Sequence, residues 1–178
     1  METLPDFIDE SVEILCIGLN PSPNSVRRGY PFATTQNRFW RALNQSRLVA
    51  GDYPPSVESL HRLLSEEHMG FTDLVKRPTT GASGLRAHDY RKWAPVLMGK
   101  IERCRPRVLW FQGTIAYGNY LRYGLGRKRS RVEWGAQDRF GDRAAVFVTP
   151  NPSSANASYS LNDIVGWFDR VAEFVPDA

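Results

Sequence analysis

Short apolar runs alternate along this chain with stretches spaced like helices, and that alternation predicts the architecture. Val12-Glu13-Ile14-Leu15-Cys16-Ile17 reads as a buried strand over about 12–17. A helix is expected from Thr35 or Gln36 to Ser46, with Phe39, Trp40 and Leu43 on one face. A second runs from Val57 to Glu67 and carries Leu60, Leu63 and Leu64. Gly70–Val75 reads as a short extended segment that stops at the turn chemistry of Lys76-Arg77-Pro78-Thr79-Thr80-Gly81. Arg86 to Arg103 is helical, with Trp93, Val96, Leu97 and Ile101 at helix spacing. Arg107–Gln112 is a buried strand, and Gly113 turns it into a helix around Ile115–Tyr123. Residues 124–131 form a loop rich in glycine and arginine, and Val132–Arg143 an irregular strand or hairpin. The run Ala144–Val148 is another strand, followed by a polar loop over 150–160 and a closing helix Leu161–Phe174. Strands alternating with helices imply an α/β fold: a mostly parallel, doubly wound sheet between helical layers.

At 178 residues, with 42% hydrophobic and 24% charged positions, the chain reads as one domain over 1–178 with a substantial core. Lys+Arg number 23 against 19 Asp+Glu, a mild surplus that permits a polyanionic partner without demanding one. The two cysteines, Cys16 and Cys104, are too few for a disulfide framework or a cysteine zinc site, as expected of reduced thiols in a cytosolic protein. The first residues, Met1-Glu2-Thr3-Leu4-Pro5-Asp6, have no basic stretch followed by a long apolar one, so no signal peptide is expected. No run approaches membrane-spanning length.

Two turns stand out against this frame. Gly18-Leu19-Asn20-Pro21 directly follows the first strand, and Asn151-Pro152-Ser153-Ser154 follows the strand over 144–148. Proline fixes its own φ and keeps the residue before it extended, so each asparagine amide is held rigidly at a strand end. In an open α/β sheet, ligands bind outside the carboxyl ends of the strands, so both amides are expected to face one crevice. Either asparagine alone reads as an ordinary turn residue, and it is the pair, each after a core strand, that points to a site. The stretch Pro21–Ala33 is long and rich in small residues, and it ends in Tyr30 and Phe32. Its rings can stack on a ligand or simply anchor the loop to the core. Phosphate-loop, dinucleotide and zinc-protease motifs are absent, His61, His68 and His88 are scattered, and no metal or cofactor is expected.

Gly18–Pro21, Gly29-Tyr30-Pro31-Phe32-Ala33, Asn37-Arg38-Phe39-Trp40, Gly70–Thr79 and Asn151–Ser154 occur in an order and spacing that resemble the mismatch-specific uracil/thymine DNA glycosylases. The resemblance spans roughly residues 12–170. It implies the uracil-DNA glycosylase fold, a three-layer α/β/α sandwich, and a cofactor-free, monomeric base-excision enzyme acting on DNA that contains uracil or mismatched bases. It assigns Asn20 to a catalytic water, the Leu19 backbone N–H to the base, Phe32 to stacking on a flipped base, Ser25 to the base edge and Asn151 to the mouth of the pocket. Ser153 and Ser154 would begin the loop that enters the minor groove.

Two departures alter the expectation. Asp73 stands where the best-known bacterial members have lysine, and a carboxylate there can act as a general base. Residues 153–159 lack the bulky leucine or arginine that some relatives insert into the base stack, which weakens the expected dependence on the opposite base and makes single strands candidate substrates. Phosphate contacts are expected from Arg27, Arg28, Lys76 and Arg77, which flank the site, and the basic run 127–131, with Arg129 and Arg131, reads either as a further phosphate contact or as a solvated loop. Two alternatives stay open at this point: a nucleic-acid-binding module without catalysis, and a glycosylase of the same superfamily acting on a deaminated purine such as hypoxanthine.

Overall fold

The computed structural model describes residues 2–128, 131–140 and 144–175. Its elements, in chain order, are β1 (Ile14–Gly18), α1 (Pro23–Arg28), α2 (Phe39–Gln45), α3 (Val57–Glu66), β2 (Met69–Asp73), α4 (Ala87–Cys104), β3 (Val108–Gln112), α5 (Thr114–Tyr123), β4 (Gly135–Phe140), β5 (Ala144–Thr149) and α6 (Leu161–Phe174). A 3-10 turn, Ala82–Gly84, precedes α4. The five strands form one sheet in the order β2-β1-β3-β5-β4. β2, β1, β3 and β5 run parallel, and β4 is an antiparallel edge strand whose register shifts between Gln137 and Phe140.

Pleating divides the core in two. Ile14, Cys16, Phe71, Val108, Trp110 and Phe147 face α2, α3 and α6, where Phe39, Leu43, Leu60, Leu63 and Phe168 are fully buried. Leu15, Ile17, Leu109, Phe111, Val146 and Val148 face α4 and α5, against Ala94, Leu97, Ala116 and Tyr117. The central strands are therefore apolar on both sides, as parallel strands between helical layers must be. The result is the three-layer α/β/α sandwich expected from the alternation.

The differences from the sequence reading are local. α2 begins at Phe39, because residues 34–37 close a turn (Asn37 N–H to Thr34 O, 2.9 Å) and the Asn37 side chain then accepts from Phe39 N–H. β2 ends at Asp73 rather than Val75. Leu74 and Val75 still donate to the carbonyls of Gly18 and Leu19, so the segment goes on tracking β1 past the sheet. α1 lies inside a stretch expected to be loop. Its six residues bury only Ser25 and show no apolar period. Its signals are at its ends: Ser22 caps the Ser25 N–H, Pro23 opens the helix, and Gly29 closes it at φ 78°. Among the described residues no helix is long and apolar enough to cross a membrane.

Candidate active site

β1 and β5 are parallel, with β3 between them, so the two Asn-Pro turns leave the sheet at the same edge. Each is fastened differently. The Asn20 Nδ2 donates to Arg77 O at 2.9 Å and to Thr79 Oγ1 at 2.7 Å. Thr79 Oγ1 in turn donates to Gly81 O at 2.8 Å. A carbonyl partner can only face the nitrogen end of the amide, so Asn20 Oδ1 is turned away from the 77–81 loop. That leaves an oriented acceptor suited to a water proton. Asn151 is used locally: its Oδ1 accepts from Ser153 N–H, and its backbone carbonyl accepts from Asn156 Nδ2. A Cβ built on Gly113, at the end of β3, would lie 3.6 Å from Asn151 Cβ. Asn151 thus packs against the β3–α5 turn.

Asp73 is the last residue of β2, in register with Gly18. A Cβ on Gly18 would sit 2.5 Å from Asp73 Oδ1, so the carboxylate occupies the space a side chain at 18 would fill. That close approach explains the glycine. Asp73 is 7% exposed. Burial pushes its carboxyl up to about 6 from an ordinary value of 3.8, and the nearby negative charge of Asp6 adds to the rise. Lys76, 3.7 Å away, and Lys100 oppose it. Lys76 is the larger of the two opposing charges, but its ammonium is shared with Asp6, which it approaches to 2.8 Å, and burial prevails. A carboxylate titrating near 6 is ionised at neutral pH yet more basic than an exposed one, as a general base requires.

Phe32 stands in the left-handed region at φ 57°, a conformation that costs a non-glycine residue on the order of 1 kcal/mol. Its surroundings hold it there. The ring stacks on Phe39 with centroids 4.1 Å apart and planes 16° apart. The carbonyl of Pro31 accepts from Trp40 Nε1, and that of Ala33 from Asn24 Nδ2. Phe32, Gly18 and Asp73 line one small pocket at the carboxyl edge, together with Cys16, Pro31 and residues Leu4, Pro5 and Phe7 near the start of the chain. Asn20, Leu19, Ser25 and Asn151 are not among its lining residues. Leu19 and Asn20 stand half-buried just past the end of β1.

Three side chains expected to make contacts are engaged within the protein. Ser25 is 2% exposed, and its hydroxyl accepts from Ala33 N–H, so it braces the Phe32 loop from inside rather than presenting an edge to a base. Lys76 is 5% exposed and faces Asp6, which withdraws it from any phosphate. Arg77 forks onto Asp89, the two carboxylate oxygens each accepting at 2.7 Å, and this holds Asp89 well below the usual carboxylate range, at about 2. That pair ties the loop after β2 to the first turn of α4. Arg27 and Arg28 are exposed on the last turn of α1, with contacts only to Asn24 Oδ1 and the Tyr30 hydroxyl among those seen. Arg131 is exposed and pairs with Glu133, whereas Arg129 lies outside the described residues.

Arg38 carries a role the sequence does not announce. Its guanidinium donates to the carbonyls of Pro152, Ser153, Asn156 and Tyr159, and its own backbone N–H donates to Pro152 O. One side chain at the start of α2 therefore gathers the whole loop after β5, Ser153 and Ser154 included. The hint in the sequence is its place in the motif Asn37-Arg38-Phe39-Trp40.

Comparisons with known proteins bear on the family and the fold. A family model described as the uracil DNA glycosylase superfamily matches residues 5–172. The chain is 32% identical over 163 residues to a G/U mismatch-specific uracil DNA glycosylase of Schizosaccharomyces pombe. That match covers 90% of this chain and 50% of the relative, so the chain spans about half the length of the curated protein it resembles. The solution structure of a protein of Methanosarcina acetivorans, described as a candidate uracil DNA glycosylase, superposes with a TM-score of 0.63 at 22% identity, covering 97% of this chain and 98% of that one, and shows the same fold. With the sandwich, both Asn-Pro turns on one edge and a family match over almost its whole length, the chain belongs to the uracil DNA glycosylase superfamily.

Proposed function

We propose that the protein is a DNA glycosylase that hydrolyses the N-glycosidic bond of uracil, working as a monomer in the cytosol without metal or cofactor. The observation that carries this reading is the pocket shared by the Asp73 carboxylate and the Phe32 ring, one strand-end away from Asn20. A base swung out of the stack would lie on Phe32, whose ring is already fixed by Phe39. Asn20 Oδ1 accepts a hydrogen bond from a water and aims the water oxygen at C1′ of the sugar. As the C1′–N bond breaks, its electron pair leaves with the base, and the Leu19 N–H is the donor expected to stabilise the resulting anion. The new C1′–O bond forms from the water, and its proton passes to Asp73. The negative charge of Asp73 also stabilises the cationic sugar as it develops.

A panel of labelled oligonucleotides tests the reading. It carries uracil, thymine, hypoxanthine or xanthine, single-stranded and opposite guanine or adenine. Alkali-sensitive sites should appear at uracil, in the presence of EDTA, with no strand break before alkali. Loss of activity on chelation, scission trapped by borohydride, or no excision at all would each overturn it.

Phosphate contact is expected from Arg27 and Arg28, which flank the pocket loop and are exposed. Affinity for duplex DNA should fall with salt. The double replacement by alanine should flatten the log–log slope by roughly 0.9 per lost contact. An Arg77→Ala variant should instead lower the melting temperature and leave the slope alone, because its charge is spent on Asp89. An unchanged slope in the α1 double variant returns those arginines to a solvated helix end.

A further inference from the structure

β2 is an edge strand, and the segment Leu4–Phe7 covers its free side. Phe7 exchanges backbone hydrogen bonds with Phe71 (3.0 and 2.9 Å), while the Thr3 hydroxyl donates to Lys76 O. Between these two anchors Asp6 reaches around the strand to the α4 side of the sheet. There its Oδ1 accepts from Lys76 Nζ at 2.8 Å and from Thr72 Oγ1 at 2.7 Å, and its Oδ2 pairs with Lys100 Nζ at 2.6 Å. Both lysines are buried, so this carboxylate is the principal counter-charge for each of them. The two ammonium groups overcome the effect of burial and hold Asp6 below its ordinary carboxylate value. Leu4 and Pro5 remain on the other side, in the wall of the pocket that also holds Phe32 and Asp73. Leu4 is 3% exposed, and Pro5 is open to solvent at the rim.

The rest of that wall is rigid. Cys16, Gly18 and Phe71 belong to paired strands, and Pro31 and Phe32 are held by Trp40 and Phe39. Leu4 and Pro5 belong to a segment that lies outside the strands and, among the described residues, is fastened through hydrogen bonds and ion pairs of Thr3, Asp6 and Phe7. We propose that this strap sets which bases the pocket admits, with Leu4 as the specificity-determining side chain and Asp6 as the positioning residue that pins it. The inference rests on the pocket being the base site of a glycosylase. Physically, the bulk of Leu4 limits the depth available to a ring, and the fastening of Asp6 prevents the strap from yielding to a larger one. A side-chain-sized change in a shaped pocket is worth roughly 10–200-fold in discrimination.

The test compares single-turnover excision of uracil and of hypoxanthine in one single-stranded sequence context. Wild type, Leu4→Ala, Leu4→Val and Asp6→Asn are measured, each with a thermal melt. The ratio of hypoxanthine to uracil rates should rise in Leu4→Ala by about 10-fold or more, and by less in Leu4→Val. Asp6→Asn should move it in the same direction, together with a raised KM for uracil, since the strap is then loosened rather than trimmed. A purely structural role would lower both rates together and leave the ratio unchanged. If the wild type excises uracil but no folded variant moves the ratio by more than twofold, the strap is not a specificity wall. If the wild type excises nothing, the glycosylase reading and this inference fall together. Should Leu4→Ala fail to fold, the milder Leu4→Val and the isosteric Asp6→Asn decide the question alone.

Discussion

Asp73→Asn should lower the single-turnover rate of uracil excision by about 100-fold or more, the loss typical of a positioned general base, and should at the same time make the protein more stable. The two effects come from one cause. Folding buries the carboxylate and raises its pKa from 3.8 to about 6. Between those values the folded protein holds a proton that the unfolded chain has released. Stability therefore falls as pH rises through that window and stays low above it. At neutral pH the buried charge costs the fold on the order of 2–3 kcal/mol, because each pH unit separating the folded and unfolded values is worth about 1.4 kcal/mol. Asparagine keeps the shape beside Gly18 and removes the charge, while Lys76 and Lys100 retain Asp6. The melting temperature of the variant should accordingly rise at pH 7 and match wild type near pH 4. The wild-type rate should climb tenfold per pH unit below about 6 and level off above it. Asn20→Ala should also be slow, because the water loses its orientation, but without any gain in stability. Near-native turnover in Asp73→Asn beside an inactive Asn20→Ala would leave Asp73 a structural residue and give the chemistry to Asn20 alone.

Arg38→Ala should release the loop over 152–159. Four carbonyls lose the guanidinium at once, Pro152 O keeping the residue-38 backbone N–H and Ser153 O the Asn156 N–H, and hydrogen bonds to a charged group are worth roughly 1.5–3 kcal/mol each when fully made. The partly exposed setting and water's access to the freed carbonyls reduce the total to an expected loss of about 2–4 kcal/mol. Apparent affinity for duplex DNA containing uracil should fall by about an order of magnitude or more, since the loop must be reordered on binding. The single-turnover rate at saturating enzyme should change less, because Asn20 and Asp73 are held by other elements. Arg38→Lys should rescue little: an ammonium cannot spread across carbonyls that a planar fork reaches together. A variant that melts and binds like wild type would mean that the loop is held by its own turns, such as the Asn151–Ser153 and Ser153–Asn156 bonds.

Much of this molecule is legible in the linear chain, and the reason is local. Apolar runs bounded by turns mark β1, β3 and β5, because a parallel strand buried on both faces leaves no polar alternation. Helix spacing marks α3, α4 and α6 to within a residue or two. The Asn-Pro turns mark the edge proposed to be functional, since proline constrains the backbone wherever it stands. Asp73 and Phe32 also stand out, on the strength of their place in a familiar motif. What the linear chain hides is everything that depends on who meets whom across the sheet. Lys76 and Arg77 are adjacent cations in sequence and read as a phosphate patch. In space one is buried against Asp6 and the other forked onto Asp89, from segments 70 and 12 residues away. Ser25 reads as a ligand contact and is a loop brace. Arg38 reads as part of a motif, yet its partners lie more than 110 residues further along. Residue type and spacing alone determined the mostly parallel, doubly wound sheet and marked two Asn-Pro turns at its strand ends, while the family resemblance supplied the chemistry expected there. Charge neutralisation in the buried layer, and the paths of the segments that enclose the pocket, were decided only when the chain closed on itself. A side chain's availability depends on its nearest counter-charge, and for these residues that counter-charge is far away in sequence.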